Sequence, residues 1–101
     1  MNGLERDYAY QLWLRQRAGE VRSYAFEGIK LRLGFDAWYT PDFAPVWLAD
    51  DTVEIHECKG RWREAARVRI KAAAALHPIF RFVAVTRTQG VWRFEAIPSW
   101  P

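Results

Sequence analysis

The sequence predicts a single mixed α/β domain, a central mixed sheet flanked by helices, with the elements in the order helix, strands, helix, strands. Three observations carry this. Leu4 to Ala18 and Arg61 to Leu76 have helical spacing or composition, and several short runs between and after them alternate apolar and polar residues. The chain has 101 residues, half of them hydrophobic. That is enough for one core burying roughly 60–65% of the unfolded surface and too little for two, so residues 1–101 form one domain.

The first helix follows from Leu4, Tyr8, Ala9, Leu12 and Trp13, which recur at three- and four-residue steps as one stripe, and Gly19 ends it. Ser23 to Glu27 and Ile29 to Leu33 are short strands, the second alternating Ile29, Leu31 and Leu33 with Lys30 and Arg32. Trp38 to Ala49 is extended and Thr52 to Lys59 is a strand, joined as a hairpin through the polar turn Asp50-Asp51. Pro41 and Pro45 remove ladder donors, so the first arm lies at an edge or carries a bulge. Arg61 to Leu76 is rich in alanine, stops before Pro78 and is the second helix. Phe80 to Thr86 and Val91 to Ile97 close the domain as a hairpin around Thr88-Gln89-Gly90.

Charged residues make up 27% of the chain, which excludes a disordered or low-complexity reading. The net charge is +3 and the basic residues are mostly arginine, whose planar fork grips phosphate through two hydrogen bonds. The balance favours a polyanionic partner. Cys58 is the only cysteine, which excludes an intramolecular disulfide and an all-cysteine metal site and fits a reducing compartment. No apolar run approaches membrane-spanning length, so a cytoplasmic protein with no membrane partner is expected.

Chemistry concentrates on the strand Val53 to Lys59. Alternation puts Val53, Ile55, Glu57 and Lys59 on one face and Glu54, His56 and Cys58 on the other. The first face starts apolar and ends charged, so it must open to solvent there or satisfy its charges. Pairing back across Asp50-Asp51 brings Asp42 close to Glu57 and Lys59. Two adjoining carboxylates repel unless a divalent cation holds both ionised. Mg²⁺ fits such oxygen ligands and can activate a water toward a phosphodiester, with Lys59 orienting that water or stabilising the developing charge.

Pro41-Asp42 followed by Glu57-Cys58-Lys59 resembles the motif of the PD-(D/E)xK superfamily of restriction-endonuclease-like nucleases. Tyr39-Thr40-Pro41-Asp42-Phe43, Glu57-Cys58-Lys59-Gly60 and Arg63 to Lys71 together look like its small phage and prophage endonucleases, over nearly the whole chain. The resemblance implies a restriction-endonuclease-like core and a DNA endonuclease using Mg²⁺, with Mn²⁺ as a substitute. It implies that Asp42 and Glu57 bind the metal, with the Cys58 backbone carbonyl as a third ligand. Lys59 would stand at the nucleophilic water, and Glu5 from the first helix in the outer metal shell. Similar phage proteins include branched-DNA and four-way-junction resolvases that act as homodimers, in a bacterial cytoplasm.

Glu5 precedes Ala9 and Leu12 on the apolar stripe and is expected to point inward, yet Asn2 to Glu5 also has the form of a capping box. Arg63, Arg67 and Lys71 fall at four-residue steps as a basic stripe facing away from the alanines, and with Arg61 they are the expected nucleic-acid contacts. Trp62 between Arg61 and Arg63 could stack on an unpaired base or lie against the sheet. His56, on the opposite strand face, reads as a structural histidine. Two other functions share these features: a catalytically silent DNA-binding accessory module, and a nuclease acting on RNA.

Overall fold

The structure is a computed structural model that describes residues 1–99; positions 100 and 101 of the expected domain lie outside them. Asn2 caps helix α1 (Gly3–Arg17), whose buried Tyr8 and Leu12 lie one turn apart on its inner face. Gly19, at φ 83°, takes the left-handed conformation that ends the helix, and the Glu20 N–H returns to the Arg15 carbonyl at 2.9 Å. Strands β1 (Val21–Phe26), β2 (Leu31–Gly34), β3 (Ala37–Tyr39), β4 (Phe43–Leu48) and β5 (Val53–Cys58) follow. Helix α2 (Glu64–Leu76) then leads to the hairpin β6 (Arg81–Thr88) and β7 (Val91–Ile97). Gln89 and Gly90, both at positive φ, make its two-residue turn.

The main sheet has the order β1-β4-β5-β6-β7, and β2 pairs with β3 as a separate ribbon. All neighbours in the main sheet are antiparallel except β5 and β6, which are parallel and joined through α2, as a parallel crossover requires. The domain is therefore mixed α/β, as the sequence predicts. One face of the sheet packs Phe43, Val46, Cys58, Val83 and Val85 against Tyr8 and Leu12 of α1. The other packs Ile55, Phe82 and Ala84 against Ile70, Ala73 and Ala74 of α2 and against Leu31 and Tyr39 of the ribbon. Each fully buried Leu, Ile or Phe in these two layers contributes about 1.5–3 kcal/mol. No helix among the described residues is long and apolar enough to cross a membrane.

Two of the expected elements have different boundaries near the site. The extended run Trp38 to Ala49 is two strands, because the segment Thr40 to Asp42 leaves the ribbon and enters the main sheet. Pro41 has no N–H to continue a ladder there. β4 is an interior strand, so Pro45 is accommodated by the expected irregularity: the register against β5 shifts between Phe43 and Val46. Helix α2 starts at Glu64 rather than Arg61, and Arg63 occupies the cap position in extended backbone with no side-chain cap bond.

Candidate active site

The β4–β5 register pairs Phe43 with His56, which brings the residue before β4, Asp42, alongside Glu57. The two acids are clasped through the backbone amides of Asp42 and Cys58. The Asp42 N–H donates to Glu57 Oε1 at 2.9 Å, and the Cys58 N–H donates to Asp42 Oδ2 at 2.8 Å. One oxygen of each carboxylate is thus held by an amide, while the second accepts no such bond among the described residues. Glu57 is buried, with 8% of its surface exposed. Burial first, and then the charge of Glu57, push the Asp42 carboxyl up to about 8; the Cys58 amide opposes this. The expected convergence of Asp42 and Glu57 is present, at the expected end of the hairpin.

Tyr39 is a neighbour that the sequence reading assigned no role. Its ring packs in the α2-side core, and its buried hydroxyl makes no hydrogen bond of acceptable geometry. Burial and then the charge of Glu57 drive its pKa upward, so it keeps its proton beside the acid pair. The signal was its position three residues before Asp42, at the last position of a strand entering the site.

Lys59 directly follows β5, is half-buried, and anchors its backbone N–H on the Val85 carbonyl at 3.0 Å. Among the described residues its ammonium is in no salt bridge to either acid, so what ties it to the pair is its place two residues after Glu57 along the chain. Cys58 has its side chain in the α1-side core, away from the acids as alternation requires, and burial pushes its thiol pKa up.

Glu5 takes the second of the two arrangements expected of it. It closes a capping box: its Oε1 accepts from the Asn2 N–H at 2.8 Å, while Asn2 Oδ1 accepts from the Glu5 N–H at 2.8 Å. Its charge still reaches Asp42 and adds slightly to the upward shift. No three acidic, His or Cys side chains converge as a metal-ligand group among the described residues. The free Asn2 amide at the helix start holds this side chain in the cap.

The basic stripe is also broken up. Arg63 precedes α2 at the cap, and Arg67, its side chain still 35% exposed, reaches β7 and holds Glu95 through bonds of 2.7 and 3.2 Å. Arg61 and Lys71 are exposed. Trp62 packs partly against the α2-side core, with an indole N–H that has no acceptor.

On the opposite face His56 is buried and doubly bonded, as a structural histidine should be. The Tyr8 hydroxyl lies 2.7 Å from Nδ1, and Glu54 Oε1 lies 2.8 Å from Nε2. Arg81 approaches the other Glu54 oxygen at 3.7 Å. A cleft of about 720 Å³ between the β4–β5 turn and the start of β6 lies at the far end of β5 from the acids.

The donor set at Asp42 and Glu57 fits a hard divalent cation. Both groups offer carboxylate oxygens, and Mg²⁺ needs only one or two of these, completing its shell with water and substrate oxygens. Two apposed acids with no basic side chain bonded to either are a repulsion that such a cation relieves. No protein-family model matches the chain, and no curated protein or solved structure matches it.

Proposed function

We propose that the chain is a metal-dependent DNA endonuclease of the PD-(D/E)xK type, hydrolysing phosphodiester bonds at Asp42, Glu57 and Lys59. The observation that carries this is the Asp42–Glu57 clasp: two acids apposed at a strand end, linked through the Asp42 and Cys58 amides and with no bonded cation of the protein's own. Asp42 and Glu57 would hold Mg²⁺, or Mn²⁺ in its place, which when bound supplies an acidified water and neutralises charge on the phosphate. The two amide bonds fix one oxygen of each carboxylate, so the remaining oxygens are presented in a set orientation. Lys59, not committed to a salt bridge, orients the attacking water and balances negative charge developing on the phosphate. Tyr39 keeps its proton and closes the apolar side of the site against water. Glu5 tunes the pair through its charge while capping α1.

One site cuts one strand, so cutting both strands of a duplex involves two copies, and the proposal includes a homodimer on DNA. The compartment proposed is a bacterial cytoplasm. The test is incubation with supercoiled plasmid, linear duplex, single strand, four-way junction and RNA, in Mg²⁺, Mn²⁺ or EDTA. Metal-dependent DNA cutting that is lost in a folded Asp42→Asn variant is expected. Cutting that persists in EDTA contradicts the metal mechanism, preference for RNA contradicts the substrate, and binding without any cutting identifies an accessory module.

A further inference from the structure

The row structure of the sheet extends the site sideways. Glu57 pairs with Ala84 and Ala84 with Glu95, so these three lie in one row across β5, β6 and β7. Two residues further along the same face, Thr86 pairs with Arg93, beside the point where the Lys59 N–H bonds the Val85 carbonyl. With strands about 4.8 Å apart and about 3.4 Å per residue, Arg93 is on the order of 10 Å from Glu57.

A cleft of about 370 Å³ opens here, lined by Arg61, Trp62, Arg67, Thr86, Arg93 and Glu95 among others. Its charges are not balanced. Glu95 is the one acid of the lining and is already answered by Arg67 through two hydrogen bonds. Arg61 and Arg93 are exposed and in no salt bridge among the described residues. Arg61, Arg93 and Thr86 thus line a common space and can offer it two guanidinium forks and a hydroxyl. A ligand with several acceptor oxygens and a negative charge matches this donor set, and a phosphodiester is such a ligand.

We propose that this cleft is a phosphate subsite for the strand being cut, in which Arg61 and Arg93 grip a phosphodiester neighbouring the one at Asp42 and Glu57. The subsite rests on the nuclease reading for its substrate, but not for its chemistry. Its position continues the line from the acids past Lys59 to the basic cleft. The arginine pair therefore sets which way the strand runs over the sheet.

The test uses full-length Asp42→Asn protein in EDTA, which cannot cut, and a fluorescein-labelled oligonucleotide, single-stranded or duplex, read by anisotropy over a salt series. Arg93→Ala and Arg61→Ala, introduced into that background, are each expected to weaken binding about 10-fold. Each is expected to lower the salt slope by about one. Arg22→Ala on β1, remote from the cleft, is the control, expected to stay within about twofold; thermal melts confirm that all three are folded. Binding within about twofold and an unchanged slope in both cleft variants overturns the subsite, even if the parent chain cuts DNA. Arginine-dependent binding by a parent that cuts nothing in Mg²⁺ or Mn²⁺ overturns the nuclease reading and leaves the subsite standing. No binding of either oligonucleotide overturns both.

Discussion

The two faces of β5 carry buried acids three residues apart, Glu54 at 7% exposure and Glu57 at 8%, and they differ in what meets them. On the α1 face, Glu54 is answered by His56 and Arg81, and His56 in turn by Tyr8. Every strong polar group there has a partner, which is how a polar network serves a core. On the α2 face, Glu57 meets a second acid and that acid's backbone amide, while Asp42 in turn accepts from the Cys58 amide. Burial is the same, so burial does not separate a structural acid from a functional one. What separates the two is the partner: Glu54 faces an arginine and Glu57 faces another acid, the arrangement on which the proposed cation site rests.

The largest effect expected from this contrast is on catalysis. Glu57→Gln should lower cutting on the order of 10³-fold, the loss of several kcal/mol of charge stabilisation, while the protein stays folded. Initial-rate plasmid assays and a thermal melt check it; cutting at the parent rate removes Glu57 from the site. The mirror experiment is His56→Ala, which leaves Tyr8 and Glu54 buried without their partner. It should cost about 3 kcal/mol, or on the order of 15 °C in Tm, with cutting retained where the protein is folded. If His56→Ala is as stable as the parent, the α1-face network is not structural.

Lys59→Ala is expected to lower cutting on the order of 10²-fold with stability within about 0.5 kcal/mol, because its ammonium holds no fold contact. A pH series sharpens the contrast further. Asp42 has its pKa raised from 3.8 to about 8 in the fold, so between those values the folded protein binds more protons than the unfolded chain. Stability in EDTA should therefore be greatest at the acid end of that window, fall as pH rises through it, and level off above about pH 8. Asp42→Asn should flatten the slope, and melts in a buffer series would reveal a pH-independent Tm if the pair is not apposed. The smallest effect belongs to Glu5: Glu5→Ala should cost about 1 kcal/mol through the lost capping box and change cutting less than Lys59→Ala does.

The elements legible in the sequence are those set by local pattern. The α1 stripe, the Asp50-Asp51 turn and the alternation along Val53 to Lys59 fix the helix, the hairpin and the face on which Glu57 stands. Together with the irregularity that Pro45 predicts, these bring Asp42 to Glu57, because the register set at the turn shifts between Val46 and Phe43. What was not legible depends on distant partners. Nothing local says that β1 pairs with β4 while β2 and β3 form their own ribbon, or that Arg67 reaches Glu95 on β7. Tyr8 and His56 are 48 residues apart, and only the assembled sheet brings them together. Glu5 was ambiguous for a different reason: one residue satisfied both an inward helical position and a cap spacing, and the free Asn2 amide at the helix start holds it in the cap.

The central claim is that the Asp42–Glu57 pair is a divalent-cation site, and titration of the protein with Mn²⁺ by calorimetry tests it most directly. The parent should bind Mn²⁺, His56→Gln that remains folded should bind it comparably, and Asp42→Asn should not bind it measurably. Mn²⁺ binding that survives in Asp42→Asn, or no binding by the parent, would contradict the account.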